Sequence, residues 1–470
     1  MKKIFLYILS ILAILKIQVL TSGCANIIPP EGGPRDSLPP VLTRASPGNG
    51  SLNFSEDRIN LTFDEYVDLD NPVQNSIVSP LPKNPPGITR KLNTVTVRLR
   101  DSLEPNTTYS INFRNSIKDV NEGNVMRNFT YIFSTGSHID SLELSGRVTL
   151  AETGGIDTTL TVMLHRNGAD SILKKERPRY VTKLDGRGRF NFKHLPANET
   201  FYIYALQDAG GSYLYLDTTK LFAFADSPVT TGQQTDSIVL YAYAKAEMTA
   251  GSSGTIPSSR NTGRGGEKRL KFQTNLESGK QNLLNKFTFT FETPLKVFDS
   301  AKIHFSTDTT FTPVTNYHWE LDSTMKTAIL NYQWKENTLY NFILEKDFAT
   351  DTLGQQLLKA DTLSFRSMGQ DDYGKLLLRF RNLDLSKNPV LLFVQNDKVV
   401  RSFPLTSEVF SESLFLPGEY NLRILYDENK NGVWDPGQFF GQHKQPELVK
   451  PVERKITVRT NWSEETQIAL

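Results

Sequence analysis

Residues 94–100 read TVTVRLR, and this stretch decides the fold class. Val95, Val97 and Leu99 alternate with Thr96, Arg98 and Arg100, the period-two pattern of a strand with one face buried and one wet. Working outward, the same signature recurs in FTFTF (287–291), FYIYAL (201–206) and NLRILY (421–426), each bounded by turn-forming residues. No long amphipathic helical period is present, although QNLLNK (281–286) allows a short helical turn. The pattern predicts an all-β chain of packed sandwiches.

Bulk properties bound the rest. A chain of 470 residues is too long for one core and implies several domains. Its 38% hydrophobic and 10% aromatic content suit globular strand-rich modules rather than disorder. The formal charge is +2, and removing the three lysines of residues 1–23 leaves −1. A near-neutral chain gives no electrostatic reason to expect a nucleic-acid partner.

The N-terminus, MKKIFLYILSILAILKIQVLTSGC, has a charged head at Lys2 and Lys3 and an apolar run too short for a comfortable membrane span. The chain's single cysteine, Cys24, follows the small residues Ser22 and Gly23. This stretch resembles a bacterial lipoprotein signal, which implies that Cys24 is diacylated and becomes the first mature residue. An ordinary signal peptide that leaves a free thiol is the alternative. With one cysteine, no disulfide staples the domains.

Two composition shifts mark linkers. Residues 24–38, CANIIPPEGGPRDSL, read as a Pro/Gly-rich tether. Residues 247–269, containing TAGSSGTIPSSRNTGRGGEK, have almost nothing apolar to bury and read as a linker or loop. Between and after them, short blocks recur in order. LTFDEYVDLD, NTTYSINF, DVNEG and FTYIFST in the first half are answered by FTFETPLKVFD, NTLYNFIL, DTLG and DTLSFRS in the second. HLPANETFYIYALQD is answered by FLPGEYNLRILYD. The expected organisation is a duplicated A–B–A′–B′ cassette: signal 1–23, tether 24–38, A 39–137, B 138–246, linker 247–269, A′ 270–370 and B′ 371–470.

The blocks PPVLTRASPGNG (39–50), INLTFDEYVD, LEPNTTY and FTYIFSTG resemble the SbsA-like bacterial immunoglobulin-like (Big_5-type) domain. LSGRVTL, TKLDGRGRFNFKHLP and FYIYALQD resemble transthyretin-like and collagen-adhesin B-type sandwiches. That resemblance places Asp185 and Gly186 in a hairpin turn, with Phe190 and Phe192 facing the core. The whole arrangement resembles lipoproteins of the Bacteroidetes line of Gram-negative bacteria, which implies an outer-membrane location. The residues after Cys24 lack the early acidic cluster that resembles a surface-export signal in that group, so the periplasmic face is favoured over the cell surface.

One loop carries candidate metal ligands. In DENKNGVWDPGQ (427–438), Asp427, Asn429, Asn431 and Asp435 stand at positions 1, 3, 5 and 9 of a calcium loop. Gly432 is at the sharp turn and Val433 at the carbonyl position. The bidentate acid expected at position 12 is replaced by Gln438. The loop resembles the calcium loops of serine-aspartate-repeat B-type domains, which implies Asp427, Asn429, Asn431 and Asp435 as ligands. A tight Asn-Gly turn whose side chains cap backbone amides is the other reading, and both stay open. The counterpart DAGGSYLYLD keeps Asp208 but not the asparagines.

No enzyme signature appears. The six histidines are scattered, and there is no G-x-S-x-G elbow or phosphate-cradling glycine loop. Asp371 and Asp372 are adjacent, so their side chains point apart. Asp-Ser/Thr followed by an aliphatic residue, Ala or Thr recurs along the chain and resembles a Bacteroidetes O-glycosylation sequon, with Ser37 the accessible candidate. Strand-initiating turns give the same pattern. The expected function is a non-catalytic, lipid-anchored structural, adhesion or assembly platform with a protein partner in the envelope. The alternative is a carbohydrate- or small-ligand-binding lipoprotein that uses Trp319, Trp334, Trp434 or Trp462 as a stacking platform.

Overall fold

Alternating burial marks many of the strands, while Leu160–His165 and Pro389–Gln395 are buried almost throughout. In the strand Thr94–Arg98, Val95 and Val97 are fully buried while their neighbours are not, and Leu99 packs half-buried just beyond. A computed structural model describes residue 10 and residues 35–208, 210–233, 237–245 and 269–470. Among these the chain is 47% strand and 4% helix, which fixes it as all-β. The α-helices Pro72–Asn75 and Ile172–Lys175 are single turns.

The described residues form two compact units. The first contains residues up to Leu144 together with Arg179–Val181 and Phe192–Glu199. The second contains Ser145–Pro178, Thr182–Asn191 and the chain from Thr200 to Leu470.

Most of the first unit, residues 42–134, is an Ig-like sandwich. One sheet runs Leu42–Ser46, Arg58–Phe63, Thr94–Arg98, Gly87–Lys91, and the other runs Thr130–Ser134, Thr108–Asn112, Ile77–Ser79. The pairing Ile59↔Val97 and Leu61↔Val95 puts four branched side chains on one face. They meet Ile111, Phe113, Tyr131 and Phe133 of the opposite sheet. Each such burial contributes about 1.5–3 kcal/mol. A short third sheet joins Val67–Leu69 to Ile117–Asp119. There Asp119 is buried and accepts backbone N–H bonds from Glu122, Gly123 and Asn124.

The segment 270–370 is built around an aromatic core. The strand Phe287–Phe291 lies between Phe272–Thr274 and Thr327–Asn331, facing Leu339–Leu344 and Asp361–Ser367. A short ladder joins Leu295–Phe298 to Ala349–Asp351, and buried Asp351 accepts from Leu353 and Gln355. The helical turn allowed at Gln281–Lys286 is not formed. Gln281 closes the strand Lys280–Gln281, and its amide donates to the carbonyls of Asn282 and Asn285. The Leu283 N–H is taken by the Tyr373 hydroxyl. Side chains consume the groups a helix would need.

The remaining strands make two sandwiches with matching orders. One has Arg189–Leu195, Leu142–Leu150, Ile238–Ala242 opposite Tyr180–Lys183, Leu160–His165, Thr200–Gln207, Phe222–Phe224. The other has Val409–Phe415, Gly374–Arg381, Ser463–Ala469 opposite Lys398–Pro404, Pro389–Gln395, Gly418–Tyr426, Leu448–Val458. In each, the first and last strands of the module pair in parallel (Val148↔Leu240; Leu378↔Thr466). As expected, Asp185 sits in a turn, where its carboxylate accepts from Arg187 and Arg189 N–H groups. Phe190 and Phe192 are both buried.

Candidate functional site

Residues 427–447 leave the second of these sandwiches between the strands Gly418–Tyr426 and Leu448–Val458 and form an arm. The arm begins as a tight turn. Asp427, only 2% exposed, accepts from the N–H groups of Asn431 and Gly432 at 3.2 and 2.6 Å. Gly432 takes φ +77°, a backbone conformation that costs glycine nothing and other residues strain. The Asn429 and Asn431 amides donate to one oxygen of Asp435 at 2.5 and 2.8 Å. The Val433 N–H donates to Asn431 Oδ1, and the Val433 side chain is exposed.

Sequence reading missed the acid that completes this turn. Glu447, 1% exposed, accepts from Glu428 N–H at 2.9 Å and from Asp435 N–H at 3.0 Å. Burial pushes its carboxyl above the usual carboxylate range, and the negative charges of Asp427 and Asp435 push it further. It was missed because it stands 20 residues after Asp427, well outside a twelve-residue window; an acid just before the returning strand was its only signal.

The donor set is all oxygen, with three carboxylates and two side-chain amides, and it suits a hard divalent cation such as calcium. Two of the carboxylates, Asp427 and Glu447, are buried, and among the described residues no cationic side chain is bonded to them. Among the described residues no three acidic, histidine or cysteine side chains already converge on a metal position, and in this conformation the turn is held by its own hydrogen bonds. Trp434 lies across Val390, Leu392, Val394, Leu425 and Val449, and its indole N–H donates to the Glu447 carbonyl at 2.7 Å.

Beyond the turn the arm grips the sandwich that contains Leu160–His165 and Thr200–Gln207. Phe439 is buried among Tyr204, Phe222 and Phe224, with ring centroids 5.0–5.6 Å apart. Phe440 stacks on Tyr215, and Lys174 Nζ lies 4.1 Å from the Phe440 ring. His443 stacks on Phe439 and meets Asp170 Oδ1 at 2.6 Å, while the Gly441 N–H donates to Asp170 Oδ2. Burial would raise the Asp170 carboxyl, but those two partners hold it below its ordinary value. Gln445 donates to the Phe224 carbonyl and to Asp226. Val449 N–H donates to the Ala151 carbonyl at 2.8 Å. Desolvation in this seam pushes the Tyr204 and Tyr215 hydroxyls up to about 12, and that of Tyr243 higher still.

The seam has no room for added bulk. A Cβ on Gly154 would lie 2.2 Å from Pro451 Cδ, and one on Gly437 would lie 2.7 Å from Tyr243 Cζ. Two sandwiches separated in sequence by the whole of 247–370 therefore pack closely at this seam.

Other candidates are scattered. Cys24 lies outside the described residues, as does most of the 247–269 segment. Ser37 is exposed, beside an Asp36 that accepts from Leu38 N–H. At Asp157, Asp217 and Asp308 the carboxylate binds the hydroxyl and N–H of the threonine two residues on. The Thr310 hydroxyl and its neighbours hold Asp308 down at about 2. These Asp-Thr motifs make turns, as the strand-start reading expects. Asp372 is paired with Lys280 at 2.8 Å and caps Gly369. Asp371 is exposed, so the two acids share no site. Trp334 and Trp319 pack in the aromatic core of 270–370, Trp434 in the arm, and Trp462 is 58% exposed. Asp208 keeps the turn role alone, accepting from Gly210, Gly211 and Tyr213.

Residues 36–135 match the bacterial Ig-like domain family, Big_5. No curated protein matches the chain. Among solved structures the chain is similar to native alpha-2-macroglobulin from Escherichia coli spanning domains MG0-NIE-MG1. Identity there is 12%, covering 41% of this chain and 91% of that one, at a TM-score of 0.19. It is also similar to the N-terminal part of the bacterial S-layer protein SbsC, at 16% identity over 44% of each chain and a TM-score of 0.16. The chain thus spans less than half of that S-layer fragment. The Bacillus anthracis TIE protein is similar at 9% identity over 94% of this chain and 75% of that one, with a TM-score of 0.17.

Proposed function

We propose that the chain is a non-catalytic platform of the bacterial envelope: a Bacteroidetes-type lipoprotein, anchored through Cys24 to the periplasmic face of the outer membrane, that presents β-sandwich modules to a protein partner. The observation that carries this reading is the arm at 427–447. It joins two sandwiches that are distant in sequence into one stiff block, and its polar atoms are spent on turns and grips. A chain used as an extended spacer would have no use for such a lock.

The module order A–B–A′–B′, at 39–137, 138–246, 270–370 and 371–470, is part of this proposal. The paired sheet orders support it, as do the equivalent capping acids Asp119 and Asp351, and Asp208 and Asp427. Calcium is part of it too. Asp427, Asn429, Asn431, the Val433 carbonyl, Asp435 and Glu447 would hold the ion, whose charge would offset the repulsion among the three acids and stiffen the root of the arm. Ser37 is the proposed O-glycan acceptor.

Cell fractionation tests the anchor. Cys24→Ala should move the protein out of the membrane fraction, and protease added to whole cells should leave the native protein intact. Removal by the protease would put it on the cell surface. Substrate turnover by purified protein that is lost on replacing a single acid would end the non-catalytic reading. The rival reading, a small-ligand-binding lipoprotein, draws on a different feature: a cleft at the seam.

A further inference from the structure

Next to the arm, the two B-type sandwiches enclose an open cleft of about 650 Å³. Its first wall is the outer face of the strand Leu142–Leu150. There Arg147 and Thr149 point away from buried Val148, and Thr149 is in register with Tyr241 of the neighbouring strand. Its second wall comes from the strand Leu448–Val458, with Lys450, and from Ser386, Lys387 and Asn388. The floor is aliphatic, made by Leu150, Ala151, Leu448, Val449 and Pro451.

The charges in this lining do not balance. Three cations, Arg147, Lys387 and Lys450, face one carboxylate, Glu428. Arg147 and Lys450 are exposed and make no ion pair among the described residues. Lys387 reaches Asp384 only at 3.8 Å and lies over the Tyr426 ring at 5.6 Å. Thr149, Tyr241 and Asn388 add hydrogen-bonding groups beside them.

The size argues for a small ligand. A volume of this order falls in the range of small-molecule sites, whereas a protein partner needs a contact face of roughly 800 Å². The walls are also fixed in advance by the seam, so binding would cost little ordering. Pro451 has no N–H to offer an incoming strand on this edge, which disfavours an extended peptide as the occupant.

We propose that this cleft binds a small amphipathic oxyanion: a carboxylate or phosphate head held by Arg147 and Lys450, with an aliphatic body on the Leu150–Val449–Pro451 floor. The platform reading does not depend on it. Titration calorimetry of the full chain with hexanoate and with hexyl phosphate, using hexanol as the uncharged control, tests it.

Single-site binding of either anion tighter than about 1 mM, with none for hexanol, is the expected result. The anion that binds identifies the head group. Arg147→Glu and Lys450→Glu, both at exposed positions, should each weaken binding at least tenfold with the melting temperature unchanged. Gly154→Ala, which drives a Cβ into Pro451, should abolish binding by parting the walls. No anion binding at about 1 mM, equal binding of hexanol, or unchanged affinity in the two charge-reversed variants would each overturn the proposal.

Discussion

His165 should make this protein acid-sensitive in a way that one substitution removes. It ends the strand Leu160–His165, every residue of which is buried, and is itself 2% exposed. Among the described residues its Nε2 has no hydrogen-bond partner, and its ring meets Tyr204 edge-on at 5.6 Å. Desolvation lowers its pKa from 6.5 to about 4.

That difference corresponds to about 3 kcal/mol, because the unfolded chain holds the imidazole proton more tightly than the folded one. The contribution is whole above pH 6.5. It drains as pH falls from 6.5 to 4 and is gone below that. Thermal or urea unfolding followed between pH 7.5 and 4 should show this loss on top of the general acid effect, at roughly 10 °C of melting temperature. His165→Leu, close in volume and unable to ionise, should lack that extra slope. Equal pH slopes in the variant and the parent, or a His165 ring that titrates near 6.5 by NMR in the folded protein, would refute the reasoning.

Other expectations concern the arm and the turns. Phe439→Ala empties an aromatic pocket and should cost about 3–5 kcal/mol of seam stability, read as faster hydrogen exchange in residues 439–449; unchanged protection would deny the arm its grip. Millimolar calcium should raise the melting temperature of the parent chain and leave Glu447→Gln unmoved. Without calcium that variant should melt no lower than the parent, because it sheds a buried charge that repels its neighbours. Asp119→Ala strands the N–H groups of Glu122, Gly123 and Asn124 and should cost the first unit about 2–3 kcal/mol in urea unfolding; a cost under about 0.5 kcal/mol would mean that water replaces the carboxylate.

Much of the fold was legible because strand burial has a period of two that survives in any context. Val95 and Val97, Phe190 and Phe192, and the three phenylalanines of FTFTF all face the cores that their spacing assigns. Turn acids were legible as well: Asp185 and Asp427 bind backbone N–H groups within a few residues, and such bonds are local by nature. The helical turn at 281–286 misled because nothing nearby in sequence announces Tyr373, whose hydroxyl claims the Leu283 N–H. Among the tryptophans, only packing could separate Trp334 in a core from Trp462 at the surface.

What the sequence determined by itself, then, was the all-β class and the alternation of faces, with a tight turn at 427–435 offered beside a calcium loop, because each depends on residues a few positions apart. Tertiary structure alone decided that Glu447 closes that turn, that Phe439 and His443 grip a sandwich some 220 to 270 residues upstream, and that a cationic cleft forms beside them. The physical reason is chain closure. Contacts between distant segments exist only after both sheets have folded, and a row of residues gives no distance between strands that are not neighbours in it.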